Sequence, residues 1–339
     1  HIAPKIATFL GFINYLQINL HGKKPDFPQE LPPGNYLTKK CVLFKCRNMW
    51  YHRITEGDQA LVLLKNNPKN FQEEFIMNKN TFTAVKLAKG EVNVYDFGTV
   101  KLHAYKTNDF IDNEVFIVEK AGKAVILESP CFFDNIEELT AYLNGVEVAG
   151  MLVAYHGAGA AFLPDVPKYA TQNAVEYSEN GGGKALITNF TNAFGAIFDN
   201  SVHQITNVIG EGKINIGGID FVIHQTAEAF DVEIPEINAV YTHMLGHDCH
   251  SIVAGAGHAD AIIAQLRDYI AKGYDLILTS HYTPEDLKDA QTKIDYLETL
   301  KGIAEKCSDA ADFKAEVEKQ YPNYSGGNYL DMTAGFFFA

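Results

Sequence analysis

The chain has 339 residues, 47% hydrophobic and 21% charged, enough to bury a substantial core as one large domain or two ordinary ones; this composition excludes a disordered chain. Its formal net charge of −14 excludes unaided binding to nucleic acid or to an anionic membrane, since both require a positive field. A small-molecule substrate is therefore the expected partner, and a homodimer the expected assembly beyond the single chain. Cys41, Cys46, Cys131, Cys249 and Cys307 are odd in number and irregularly spaced, which gives neither a disulfide framework nor a zinc ribbon. No apolar run approaches the ~20 residues of a membrane span, and the N-terminus has no signal-peptide pattern. A cytoplasmic location is expected.

Residues 1–76 differ from the rest. They carry 10 Lys and Arg against 6 Asp and Glu, so the segment is +4 and the remainder −18. Pro25, Pro28, Pro32, Pro33-Gly34 and Pro68 interrupt it, and its apolar residues keep no sustained period of two or 3.6. Gln72-Glu73-Glu74-Phe75-Ile76-Met77 can be encoded by a purine-rich, ribosome-binding-like run followed by ATG. The expectation is a leader or poorly structured segment over 1–76, a main domain over 77–307 and a helical tail over 308–339; a small N-terminal subdomain is the alternative.

In chain order, Phe82–Leu87, Val92–Tyr95, Val100–Tyr105, Val115–Val118 and Ala124–Leu127 read as short strands of an antiparallel meander, punctuated by Gly90, Gly98, Asn108-Asp109 and Gly122. A helix follows from about Asn135 to Leu143. Met151–Tyr155 is an apolar strand running into the small-residue loop His156-Gly157-Ala158-Gly159, the kind of place where sites form. Leu163–Glu179 reads as mainly helical with a short strand near Tyr169, and Gly181-Gly182-Gly183 as a flexible turn. Lys213–Ile216 and Ile219–His224 form a hairpin about Gly217-Gly218, and Val232–Ile234 pairs with Ile237–Tyr241 about Pro235-Glu236. Ala259–Ala271 is an amphipathic helix, Tyr274–Thr279 a strand that delivers His281, and Glu285–Cys307 and Asp309–Gln320 are helical, the last capped by Ser308. Strands followed by helices, twice over, suit an α/β (α+β) four-layer αββα sandwich.

The chemistry concentrates in Tyr241-Thr242-His243-Met244-Leu245-Gly246-His247-Asp248-Cys249-His250. On a helix, His243, His247 and His250 at i, i+4 and i+7 share one face, and imidazoles so placed can hold Zn, Fe or another transition metal. The alternative is a polar face whose histidines bond to backbone carbonyls or to Asp248. His281 is either a further ligand or a strand-end histidine bonded to backbone. Cys249 points off the shared face and is expected to pack.

The strand order, the helix after Leu127-Glu128, the loop after Tyr155, the Gly217-Gly218 hairpin and the strand closing on His281 resemble the metallo-β-lactamase superfamily over about Phe82 to Leu300. Within it, His243-x-x-x-His247-x-x-His250 with the later Asp260, and Thr226-Ala227-Glu228-Ala229 before Ile234-Pro235-Glu236, are similar to the alkylsulfatase branch. The resemblance implies a hydrolase with one or two metal ions, normally zinc. The superfamily's His-x-His-x-Asp-His falls on Tyr155–Ala160, where its ligands are absent in register and His156 sits one position off. His243 replaces the acidic residue that bridges two metals. A single-ion site remains, drawing on His156, His243, His247, His250 and His281, with Glu228 and His247 as catalytic candidates; a solvated edge carboxylate is the alternative for Glu228. The expected function is a metal-dependent hydrolase acting on a small ester-like or anionic substrate through a metal-bound hydroxide, with Zn, Fe or Mn as cofactor. The alternative is a catalytically silent relative of the same fold, with or without metal, in a sensory or regulatory role.

Overall fold

A computed structural model of the protein describes residues 41–46, 49–54, 61–64 and 79–339. Met77 and the boundary expected there lie outside the described residues. Cys41–Cys46 (β1), Met49–Ile54 (β2) and Leu61–Leu64 (β3) form a three-stranded antiparallel sheet.

The first large sheet begins with the expected meander. Thr83–Lys86 (β4), Glu91–Asp96 (β5), Val100–Lys106 (β6), Glu114–Lys120 (β7) and Lys123–Leu127 (β8) pair antiparallel in sequence order. Helix α1 (Phe133–Tyr142) then returns the chain to Glu147–Leu152 (β9), parallel to β8; Lys168–Thr171 (β10) and Asn207–Ile209 (β11) extend the sheet in the same sense. Between β10 and β11 lie α2 (Gln172–Glu179) and α3 (Gly182–Phe194). The second sheet is Gly212–Ile216 (β12), Ile219–Gln225 (β13), Phe230–Ile234 (β14) and Ala239–Thr242 (β15) in antiparallel order. Leu276–Thr279 (β16) lies parallel to β15 after the crossover helix α4 (Ala256–Lys272), and Tyr282–Glu285 (β17) closes the edge.

Alternation along the strands decides what each face meets. One face of the first sheet supplies Leu102, Phe116, Val118 and Leu127 to a core shared with Phe221, Ile223, Phe230 and Tyr241 of the second. The other face buries Val115, Ile117, Ile126 and Met151 beneath Ile136 and Leu139 of α1. On the far side of the second sheet, α4 and α5 (Leu287–Ala304) pack with α6 (Ala310–Gln320) and α7 (Gly327–Phe337). This is the expected four-layer αββα sandwich with a helical C-terminal extension.

Several details depart from the sequence reading. Gly182 and Gly183 open α3 rather than forming a turn, and their hydrogens admit the Tyr177 ring: a Cβ at Gly183 would come within 2.8 Å of it. Asp309, not Ser308, caps α6, accepting from the Ala311 and Asp312 amides. Residues 163–167 precede β10 without forming a helix. Strand β17 was not among the expected strands; Pro284 tolerates it because β17 is an edge.

Phe221 is completely buried between the sheets, whereas Val208 is 63% exposed. Phe221→Ala is expected to cost about 3–5 kcal/mol in urea denaturation, and Val208→Ala to stay within about 0.5 kcal/mol. Similar losses for both would contradict the assignment of the central core.

Candidate metal centre

Strands β15 and β16 run parallel with Thr242 opposite Thr279, so the segments leaving their C-terminal ends start side by side. The first residue past β15 is His243, and His281 lies two residues past β16. His156 arrives from the other sheet, in the loop after β9. These three imidazoles meet: ring centroids are 5.4 Å apart for His156 and His243, 5.0 Å for His156 and His281, and 5.2 Å for His243 and His281. One nitrogen from each lies within 4.8 Å of the others.

The surroundings leave these nitrogens available as ligands. His281 Nδ1 lies 3.0 Å from the Ile111 carbonyl oxygen; because a carbonyl only accepts, the proton sits on Nδ1 and the lone pair on Nε2. Tyr155 stacks on His243 with centroids 4.5 Å apart and planes 19° from parallel, while its hydroxyl meets Thr226 Oγ1 at 2.9 Å. His156 Nδ1 is buried without a hydrogen-bond partner. Burial lowers the His243 pKa to about 3, with His281 adding to the effect, and lowers His281 to about 4 against the opposing pull of the Ile111 carbonyl. Burial and both neighbours push His156 well below its usual range. All three are neutral bases at pH 7, the protonation state that metal binding requires.

A fourth residue, not among the expected site residues, sets the frame. Glu128 follows β8 with φ +66° and is fully buried. Its carboxylate accepts the Tyr155 and His156 amides at 2.8 and 3.0 Å and the Tyr241 hydroxyl at 2.5 Å. Tyr241 also bonds Ser280 Oγ at 2.7 Å. Burial raises the Glu128 pKa against the lowering by these donors. One carboxylate thus ties the His156 loop to the strands that deliver His243 and His281. It also ends β9 at Leu152, sooner than expected, by taking amides that would have continued the strand. The available signal was an acidic residue directly after the apolar run Ala124–Leu127.

The segment His243–His250 is not helical, so the condition under which its three histidines would share a face is not met. After Thr242 the chain is an irregular loop whose polar groups bond to other elements. Buried Lys293 donates to the Gly246 carbonyl oxygen at 2.7 Å and to Ser251 Oγ, and the His250 amide donates to the Ser325 carbonyl oxygen. The histidines therefore part company. His247 sits between carboxylates, Nδ1 2.7 Å from Glu285 and Nε2 3.3 Å from Asp289, which Lys79 also contacts. His250 is buried with its Nδ1 3.0 Å from the Tyr296 hydroxyl and its ring against Tyr324. The three-histidine cluster includes neither. Glu228 is exposed on the β13–β14 turn, also outside the cluster, though its charge reaches Tyr155 and Tyr177. Asp260 pairs with Lys301 on the outer helices. Cys249 is buried, as expected for packing.

Two sheets packed face to face under outer helices, with three histidines at one end of the strands, define a divergent metallo-β-lactamase-fold protein. Among solved structures, the chain is similar to the stereoselective inverting sec-alkylsulfatase Pisa1 from Pseudomonas sp., with TM-score 0.51 and 12% identity over 69% of this chain and 48% of that one. A double mutant of that sulfatase gives TM-score 0.52 and 13% identity, covering 68% and 48%. A metallo-β-lactamase from Erythrobacter litoralis gives TM-score 0.44 and 13% identity, covering 64% and 100%. The chain thus spans 48% of the length of the sulfatase structures it matches, and at these identities the likeness is one of fold. No family model and no curated protein sequence matches the chain.

Burial works against a charged His247, but the Glu285 bond and the charges of Glu285, Asp289 and Asp248 outweigh it and raise the pKa. A raised value means that the contribution to stability is full below the ordinary pKa of about 6.5 and is lost as pH climbs through the folded value. Thermal melts from about pH 6 to 9 should therefore show wild type losing stability that His247→Ala, already lacking it, does not lose. Parallel curves would refute the pairing of His247 with Glu285 and Asp289.

Proposed function

We propose that the protein is a metal-dependent hydrolase holding one divalent ion, zinc before iron or manganese, on His156, His243 and His281. The supporting observation is the convergence of three neutral imidazoles from three separate segments. Borderline nitrogen donors suit zinc, and three protein ligands leave a position open for substrate or water. The cluster contains no carboxylate, which disfavours a second ion of the kind two-metal hydrolases hold. When bound, the ion would supply a Lewis acid and lower the pKa of a coordinated water to about 7.

The chain's own residues have separate tasks. Glu128 fixes the backbone that carries His156 by accepting its amide, and the Ile111 carbonyl oxygen holds the His281 ring through Nδ1. Tyr155 covers one face of His243. A trio without negative charge does not repel an anionic or ester-like substrate, so small sulfate, phosphate or carboxylic esters are the substrates proposed. Glu228, exposed near Tyr155 and Tyr177, is the group proposed to accept a proton. Its position outside the cluster also supports the second reading, a catalytically silent protein that binds metal in a sensory role.

Metal analysis of the full chain, purified without a histidine tag, tests the site. About one equivalent of zinc, iron or manganese is expected, with a loss of tenfold or more for His243→Ala and for His281→Ala, and none for His250→Ala. A folded protein that neither contains nor takes up metal would refute the ligand set. Turnover of p-nitrophenyl acetate, p-nitrophenyl sulfate or bis-p-nitrophenyl phosphate by the loaded protein would favour the hydrolase; metal without turnover would favour the sensor.

The low pKa values give a second check. A folded pKa of about 3 for His243 and about 4 for His281 means protons do not compete for the rings until well below the ordinary histidine value of about 6.5. Metal content after dialysis at about pH 5.5 should stay within about twofold of that at pH 7.5. A tenfold loss would show that the rings are not held neutral.

A further inference from the structure

Residues 107–113 join β6 to β7, and the chain there touches the segment that carries His281 twice. The Ile111 carbonyl oxygen lies 3.0 Å from His281 Nδ1, and the Glu114 amide, the first of β7, donates to the Ser280 carbonyl oxygen at 2.8 Å. One short loop therefore meets both the ring of His281 and the backbone beside it.

Asp109 sets the direction of the Ile111 carbonyl. Its Oδ1 accepts the Ile111 amide at 2.9 Å and the Asn113 amide at 3.2 Å, and its main-chain carbonyl oxygen accepts the Asp112 amide at 3.3 Å. These donors belong to three successive peptide units, and the middle one carries the Ile111 carbonyl. Asn108 and Asp112 both have φ +51°, a conformation that residues with side chains adopt against strain, so the loop needs such bonds to keep its shape. Thr107 closes the neck, its hydroxyl and amide donating to the Asn113 carbonyl oxygen at 2.8 and 3.1 Å. Phe110 leans on Phe132 and Phe194, which places the loop without orienting a carbonyl.

The task rests on the place of Oδ1 rather than on its charge. Oδ2 is buried without a hydrogen-bond partner, and burial raises the Asp109 pKa to about 6 against the lowering by the Ile111 and Asn113 amides. A proton taken up on acidification goes to Oδ2 and leaves Oδ1 accepting.

We propose that Asp109 is a positioning residue for the candidate centre: by holding three successive peptide units it aims the Ile111 carbonyl at His281 and keeps that ring in the Nδ1–H tautomer. Which ring nitrogen carries the hydrogen is set by the bond it makes, and a hydrogen on Nε2 would remove the lone pair that the cluster offers. The effect on metal rests on the three-histidine site proposed above; the effect on the tautomer does not.

The test is NMR of the full chain labelled with ¹⁵N-histidine, freed of metal at about pH 7.5, above the ordinary histidine pKa. It is read beside zinc affinity measured by competition with a chromogenic chelator. Wild type and Asp109→Asn, whose amide oxygen keeps the place of Oδ1, are expected to hold the His281 hydrogen on Nδ1 and to bind zinc within about twofold of each other. Asp109→Ala is expected to shift that hydrogen toward Nε2 and to weaken zinc about tenfold. Asp109→Glu keeps the charge but carries the oxygen one methylene farther; it is expected to behave like Asp109→Ala and carries the test if Asp109→Ala does not fold. Persistence of the Nδ1–H tautomer in folded Asp109→Ala or Asp109→Glu would overturn the proposal, as would its loss in Asp109→Asn. Failure of wild type to bind zinc would sink the metal site alone, because the tautomer comparison still decides the role of Asp109.

Discussion

The candidate centre depends on one buried carboxylate. Glu128 sits at the end of β8 in a left-handed backbone conformation and spends its oxygens on two amides of the His156 loop and on the Tyr241 hydroxyl. A carboxylate in the interior is costly unless its lone pairs are met. Here the groups that meet them belong to the segments that must be aligned. Those bonds join the two sheets at the end where the histidines emerge, where apolar packing alone would leave the loops free. Without them, His156 would have only the contacts of a glycine- and alanine-rich loop to fix its direction.

The overall fold was largely legible because its signals are local or periodic. The meander β4–β8 follows from β-branched and aromatic runs broken by glycine, and the Gly217-Gly218 hairpin from residues that tolerate positive φ, +61° and +87° here. The site was legible only in part. His156, His243 and His281 were all among the candidates, but their convergence is tertiary and no spacing encodes it. The regular spacing of His243, His247 and His250 misled for a physical reason. A helical period says where side chains would point if the segment were a helix; here Lys293, Ser325 and Thr333 offer the loop's polar groups better partners than the i−4 carbonyls. The pair His247 and Glu285 is likewise invisible in sequence, since its members are brought together by the unforeseen edge strand β17.

Electrostatics separates the histidines into kinds. Those of the cluster are held neutral by burial, and so remain bases with usable lone pairs. His247 is flanked by two carboxylates, which favour a cation that donates from both nitrogens. An overall acidic protein thus reserves its neutral imidazoles for dry places and uses one whose pKa is raised to fasten the loop that carries His243. Sequence lists these residues as equals; only their neighbours distinguish them.

The parallel pairing of β15 with β16 has a consequence for how the centre comes into being. His156, His243 and His281 are separated by 87 and 38 residues, and no two of them lie close enough along the chain to chelate an ion locally. The loops that bring them together must close before any of the three can act with another, and such long-range closure is the slow, entropically expensive part of folding. An unfolded chain therefore never offers this trio to an ion; its one dense run of ligands is His243 to His250. Only the margin by which the native centre holds an ion more tightly than that run would add to the stability of the whole sandwich.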